Sequence, residues 1–298
     1  MTLRQWLAFV FVATSWGTTF FFYKLAIREL PPPAILLYRT VLGTATLAVA
    51  ALILRPSWRA PRWAWATMTV FGLFNLGFPQ WLIVWSQQWV DSGMTAVMLA
   101  STPLLTLLAA QPVLPDEPIT ARRVFAIVLG FGGVVLLMSR GLRVGELDTL
   151  LGQLAQLGAA FCFAVTSVLV RWRGGGMGPI PQALWAAFVA ALFAAALNAA
   201  LGTAPALPSL PVTWLALLVV SVVTNGVTWL LFLRLLGTVG PTQTQMISYV
   251  VPLVAVALGV LVLGEPLRPE LAGGGLLVLL ALALSHSEHR RILAERGA

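Results

Sequence analysis

Two stretches of this chain read as variants of one another: PLLTLLAAQPVLPDEPITARRVFAIVLGFGGVVLL at residues 103–137 and PLVAVALGVLVLGEPLRPELAGGGLLVLL at residues 252–280. Each opens with Pro-Leu inside an apolar run (Pro103-Leu104, Pro252-Leu253) and then meets a Glu-Pro pair (Glu117-Pro118, Glu265-Pro266). Each closes on a segment rich in Gly, Leu and Val. Upstream, at a common offset, Trp16 and Lys24 correspond to Phe163 and Arg171. The repeat divides the chain into a five-span unit at 1–145 and a second at 146–298, the latter ending in a short polar tail. Five is odd, so a chain threading a bilayer enters its second copy from the opposite side. Inverted repeats with a site near the midplane are a transporter architecture.

The composition points the same way. Of 298 residues, 59% are hydrophobic and 9% charged, against about 45–50% and about 25% in soluble domains. Apolar runs predict spans at 6–26, 34–54, 63–85, 92–114, 124–139, 150–170, 180–201, 212–233, 242–263 and 271–285, the fifth and tenth being the shortest. The first is long enough to cross about 30 Å of hydrocarbon and ends without a small-x-small cleavage site, so it reads as a retained span. With the N-terminus inside, twelve basic residues fall on inner loops and tails and six on outer positions. That bias places both termini in the cytoplasm. The formal charge of +8 is scattered in ones and twos, which suits topology signals rather than a nucleic-acid surface.

Other classes fit poorly. One cysteine, Cys162, excludes an intrachain disulfide and a multi-cysteine metal site. Both histidines, His286 and His289, lie in the tail, so no embedded Ser/His pair or histidine cluster exists for an enzyme. A channel would show a filter-like repeat or a charged ring. The expectation is a non-enzyme with no metal and no cofactor. Its partners are a small-molecule substrate and the lipid bilayer, as a monomer or weak homodimer in a bacterial cytoplasmic (inner) membrane.

The doubled order of a Trp-bearing, small-residue-rich first helix, a Pro-Leu in the fourth, and a Glu-Pro before a Gly-rich fifth resembles the EamA-type drug/metabolite transporter superfamily. The resemblance covers essentially the whole chain. It implies an all-α integral membrane fold of ten helices, two inverted five-helix repeats around a central cavity. It also implies transport of amino acids (aromatic ones among them), other metabolites, nucleotide precursors or cationic drugs. The first copy departs from the pattern, reading Pro115-Asp116-Glu117-Pro118 where the second has Gly264-Glu265-Pro266.

Polar residues inside spans are costly unless they face helices or water, so their positions are informative. Gly72, Asn75, Pro79 and Ser86 share a face of the third span, and Ser221, Thr224, Asn225 and Thr228 share one of the eighth. Under the repeat offset the two stripes largely coincide, which suits either the walls of one pathway or interhelical packing. Pro79, Pro103 and Pro252 lie well inside spans, where each frees a carbonyl as a hinge, a cavity contact or a fixed bend. Thr102, beside Pro103, joins the candidate set. Gln243 and Gln245 precede the apolar part of the ninth span, and Ser248 and Tyr249 follow on an overlapping face.

Trp16, Phe20, Tyr23, Trp185 and Trp229 lie within spans and are candidates for stacking on a ring or a cation. Tryptophans nearer helix ends, Trp63, Trp65, Trp89 and Trp214, read as interface anchors. Lys24, Arg39 and Asp91 fall toward the outer ends of their spans, where snorkelling is the default. Arg39, about a turn and a half into its helix, is the best placed to bind a substrate carboxylate or hold an outer gate. Glu117 and Glu265 sit beside proline at opposite membrane faces, as capping or gating groups. No Asp or Glu lies near the middle of a span. Proton-coupled cation efflux usually needs one, so amino-acid transport is preferred and efflux of lipophilic cations is the alternative.

Overall fold

The computed structural model describes residues 1–113, 120–139, 142, 146–173, 176–203, 206–239, 244 and 246–297. Ten helical spans follow in order: α1 Leu3–Ile27, α2 Pro32–Leu54, α3 Arg62–Ser86, α4 Ser92–Ala110, α5 Ala121–Met138, α6 Leu147–Arg173 and α7 Pro179–Ala200. The eighth, α8, joins Pro211–Leu218, Val219–Val227 and Thr228–Val239; α9 is Ile247–Leu261 and α10 is Pro269–Gly297. Eight of these are long and apolar enough to cross a membrane, while α9 and the apolar part of α10, Pro269–Ser285, are shorter. The fifth span is therefore longer than its composition suggests, and the ninth shorter. Residues 286–297, read as a polar tail, continue the backbone helix of α10.

Local chemistry explains the boundaries. Thr2 and Gln5 form a reciprocal cap on α1. Prolines in the first turn start α2, α7 and α8, where the missing N–H has no intrahelical partner anyway. Arg55 ends α2 in the left-handed region, at φ 44°. Pro103 cannot donate, and its ring crowds the Leu99 carbonyl, so α4 breaks at Ala100–Ser101 between Ser92–Leu99 and Thr102–Ala110. The freed carbonyls are recovered locally. Ser101 Oγ donates to Met98 O at 2.7 Å and Thr102 Oγ1 to Leu99 O at 2.6 Å. Pro252 is accommodated inside an unbroken α9.

Helix neighbours obey the repeat. α1 packs on α9 and α8, and α6 packs on α4 and α3; α2 meets α8, and α7 meets α3; α5 pairs with α10 and α2 with α7. Exchanging α1–α5 for α6–α10 maps this set onto itself, as two inverted copies require. A core cluster draws Phe20, Ile35, Ile83, Ala96, Ala159, Leu217 and Ala255 from seven of the ten helices. The outer surface is apolar: Leu52 is 76% and Leu261 82% exposed, which only a lipid environment tolerates around a whole bundle.

Small residues set the crossings. A Cβ on Gly133 would lie 2.8 Å from Gly274 O, and one on Gly274 would lie 2.8 Å from Gly133 O. The two glycine-rich segments thus meet each other inside the bundle, at the α5–α10 crossing. Gly132 has nothing within 4 Å. Buried amides tie other helices together: Gln153 Nε2 donates to Leu137 O at 3.0 Å, Gln156 Nε2 to Ser86 Oγ and to Thr95 Oγ1, and Asn198 Nδ2 to Pro33 O at 2.8 Å. Hydrogen bonds between membrane helices contribute about 0.6 kcal/mol each on average.

Candidate functional site

Two helices depart from α geometry at matching places. Gly72–Gly77 of α3 and Val219–Val227 of α8 are π-helical, a feature that clusters at functional sites. Pro79 lies two residues past the end of the first, and its missing N–H leaves no standard i→i−4 bond there. Periodicity at 3.6 residues gives no sign of either segment. The first holds Gly72 and Asn75 of its stripe and the second Ser221, Thr224 and Asn225, and both press on a neighbour: Gly72 lies under Ala186 of α7, and Gly43 of α2 lies under the Asn225 side chain.

The stripe on α3 is engaged in packing. Asn75 Nδ2 donates to Thr166 Oγ1 of α6 at 2.9 Å, Pro79 is buried, and Ser86 Oγ accepts from Gln156 and donates to Ile83 O at 2.8 Å. On α8, Ser221 Oγ donates to Leu217 O at 2.5 Å. The Thr224 and Thr228 hydroxyls are buried without a hydrogen-bond partner. The two stripes therefore differ: one holds helices together, and the other retains unmet hydroxyls beside Asn225.

Directly after Thr228 in sequence, Trp229 stacks on Phe232 (centroids 5.6 Å apart, 28° between planes), and Trp16 lies 4.9 Å from Phe232 and 6.5 Å from Trp229. Trp16 stands at the middle of α1, so this three-ring cluster bridges α1 and α8 at depth. Phe20 and Tyr23 continue along α1, buried at 8% and 0% exposure. Tyr23 Oη is 3.5 Å from Gln80 Oε1 of α3, and Arg39 of α2 lies over the Tyr23 ring at 5.8 Å. Arg39 is 5% exposed. The snorkelling expected for it does not occur, because the face of α2 that carries it packs inward.

The remaining candidates lie elsewhere. Trp185 donates its Nε1–H to Thr69 Oγ1 at 3.0 Å and meets Trp65 edge-on at 5.0 Å. That cluster sits among Ala64, Met68 and Met177, at the end of the bundle carrying Arg62 and Arg173. Thr102 returns its hydroxyl to the α4 break. Tyr249 packs against the cluster formed by α4, α5 and α10, and Ser248 is half-buried on α9. Gln243 and Gln245 lie outside the described residues. The structure thus groups Trp16 and Trp229 with Phe232, and Tyr23 and Arg39 with Gln80; Phe20 lies between the two groups along α1, and Asn225 and Thr228 lie on α8. Phe232 lacked any polar signal, but Gln80 is an amide in an apolar run beside Pro79, and that signal was available.

The opposite end of the bundle, where Glu265 lies, is knitted closed. Asp91 occupies the N-cap position of α4, yet its side chain makes no cap. Glu265 makes it instead, from the α9–α10 connection: its carboxylate accepts from Ser92 N at 2.8 Å, Ser92 Oγ at 2.8 Å and Gly93 N at 3.3 Å. The positive end of a helix favours a carboxylate there. Lys24 Nζ donates to Gln87 O at 2.6 Å, and Arg268 Nε is 3.9 Å from Asp91. A shallow surface cleft lies beside this group, lined by Trp89, Asp91, Met94, Gln153, Arg268 and Glu270 among others. Glu29, in the α1–α2 turn, plays the matching part for α8. Its carboxylate accepts from Ser209 N, from Ser209 Oγ at 2.7 Å and from Leu210 N at 3.3 Å.

Removing this cap is a direct test of closure. Glu265→Ala is expected to lower stability by about 1–3 kcal/mol, the cost of part-buried donors left unmade, and to speed hydrogen exchange at the Ser92 and Gly93 amides. Glu265→Gln, which keeps one acceptor oxygen, falls between. Unchanged exchange at those two amides would show that the carboxylate is not what holds this end of α4.

Comparison with known proteins now decides the family. The model for the EamA-like transporter family matches twice, at residues 4–139 and 150–286. This chain belongs to the EamA-like transporter family. Among similar proteins is an uncharacterized transporter, YvbV, of Bacillus subtilis (strain 168), 24% identical over 294 residues and covering 96% of this chain and 93% of that protein. A second from the same organism, YoaV, is 22% identical over 280 residues, covering 93% and 94%. A crystal structure 20% identical in sequence superposes with a TM-score of 0.64 over 98% of this chain and 99% of its own, which shows the shared fold. The chain is a multi-pass membrane transporter, built as two EamA repeats.

Proposed function

We propose that this transporter exports, or lets pass, small amphipathic metabolites, chiefly amino acids including aromatic ones, by alternating access. The units at 1–145 and 146–298 rock about the surface where α1, α2, α3 and α8 converge. The bacterial cytoplasmic membrane, with both termini inside, is the setting that the arginine bias supports. The observation that carries the substrate reading is the three-ring cluster of Trp16, Trp229 and Phe232 at mid-depth, beside the unmet hydroxyls of Thr224 and Thr228. Rings of this kind attract apolar and aromatic side chains, and hydroxyls and amides complement a zwitterion without a titrating carboxylate. Glu265 and its partners are the contacts that must open at one face during the cycle.

The test is uptake of radiolabelled phenylalanine and leucine into proteoliposomes of the purified protein, at equal pH on both sides. Saturable flux, competed by unlabelled amino acid and independent of a pH gradient, is expected. No flux of any amino acid, with movement of a lipophilic cation only under a pH gradient, would overturn the reading in favour of drug efflux.

A further inference from the structure

Among the described residues, nothing balances the positive charge of Arg39. Its Nε and Nη1 are buried without a hydrogen-bond partner, and its side chain is 5% exposed. Among the described residues no carboxylate reaches it. Glu29 is held by Ser209 and Leu210, Asp91 lies at Arg268, and Glu265 caps α4. Its described neighbour is the Tyr23 ring. A guanidinium cannot shed its proton to escape burial, and burying a charge without a partner is destabilising.

We infer that Arg39 anchors the carboxylate of the transported molecule, in a polar pocket completed by Tyr23 and Gln80. The inference rests on the transporter reading and narrows its substrate class to carboxylates. The planar guanidinium matches a carboxylate in geometry as well as charge. Gln80 Oε1, which faces the Tyr23 hydroxyl at 3.5 Å, is an acceptor placed for an ammonium group on the same substrate. Tyr23 and Trp16 are seven residues apart on α1, about 10 Å along the axis and close to the same face. A molecule whose carboxylate lies at Arg39 therefore directs its apolar end toward Trp16, Trp229 and Phe232. Neutral amides and esters of the same molecule lack the group that Arg39 needs.

The probes are 3-phenylpropionate and its neutral isostere 3-phenylpropionamide, titrated into the purified full-length protein with tryptophan fluorescence and thermal shift as readouts. The acid is expected to bind at least about tenfold more tightly than the amide, a difference of about 1.4 kcal/mol. Arg39→Gln is expected to abolish that preference, and Arg39→Lys to keep part of it. Without ligand, Arg39→Gln should melt no lower than the wild type, since it removes a buried unpaired charge. Equal binding of acid and amide by the wild type, or no binding of the acid, overturns the inference. So does a ligand-free Arg39→Gln that melts far below the wild type, which would make the residue structural. The transport reading fails separately: if vesicles move no amino acid while the acid still binds through Arg39, the anion site stands and the proposed substrate traffic does not.

Discussion

Gly133→Leu and Gly274→Leu are each expected to melt well below the wild type, whereas Gly132→Leu, adjacent in sequence, melts with it. The reason is the α5–α10 crossing, where each glycine faces the other's carbonyl oxygen at a distance no Cβ tolerates. A leucine there must push two backbones apart, since neither contact is the end of a flexible side chain. Overpacking typically costs about 1–3 kcal/mol, and a crossing made by backbone atoms belongs at the upper end. Gly132 faces open space, so a leucine there meets lipid. Thermal unfolding of the three variants in one detergent checks the ordering. If Gly132→Leu is the most damaging, the glycines face outward and serve a contact between copies of the chain instead.

The second large effect is on transport. Trp229→Leu keeps apolar bulk and removes a ring, and it is expected to reduce the apparent affinity for phenylalanine by about twofold to tenfold. That corresponds to the roughly 0.5–1.5 kcal/mol that aromatic pairing adds beyond burial. Serine, which has no ring to stack, should be affected little. Trp16→Leu should act in the same direction, and the double variant should fall short of the product of the two, because both tryptophans meet through Phe232 and residues in one cluster couple. Concentration-dependent uptake of phenylalanine and serine by the four proteins makes the comparison. A uniform loss for both substrates would assign the rings to bundle stability rather than to recognition.

Much of the architecture was legible because it depends on local composition. Apolar length marks a span, a Glu-Pro marks a helix boundary, and an odd number of spans per repeat dictates inversion. Even the role of Glu265 as a cap was open to a reader, though not that it caps α4 from the α9–α10 connection. What was hidden depends on which helix faces which. Asn75 and Asn225 each read as an amide in a polar stripe, yet Thr166 takes the first and Gly43 makes room for the second. Trp185 is as deep in its helix as a binding residue would be, but Thr69 and Trp65 hold it in another cluster. The π segments arise where Pro79 removes a donor and where α2 and α7 press close, and periodicity carries no trace of them. Arg39 reads as a snorkelling charge, a carboxylate anchor or an outer gate, and the inward face of α2 removes the first of these.

These contrasts combine in one measurement: exchange of radiolabelled phenylalanine across proteoliposome membranes, with the wild type, Arg39→Gln and Trp185→Phe side by side. The proposed mechanism predicts saturable exchange by the wild type, little or none by Arg39→Gln, and near-normal exchange by Trp185→Phe. Exchange by Arg39→Gln at the wild-type rate, or its loss in Trp185→Phe alone, would contradict a pathway running over α1, α2, α3 and α8.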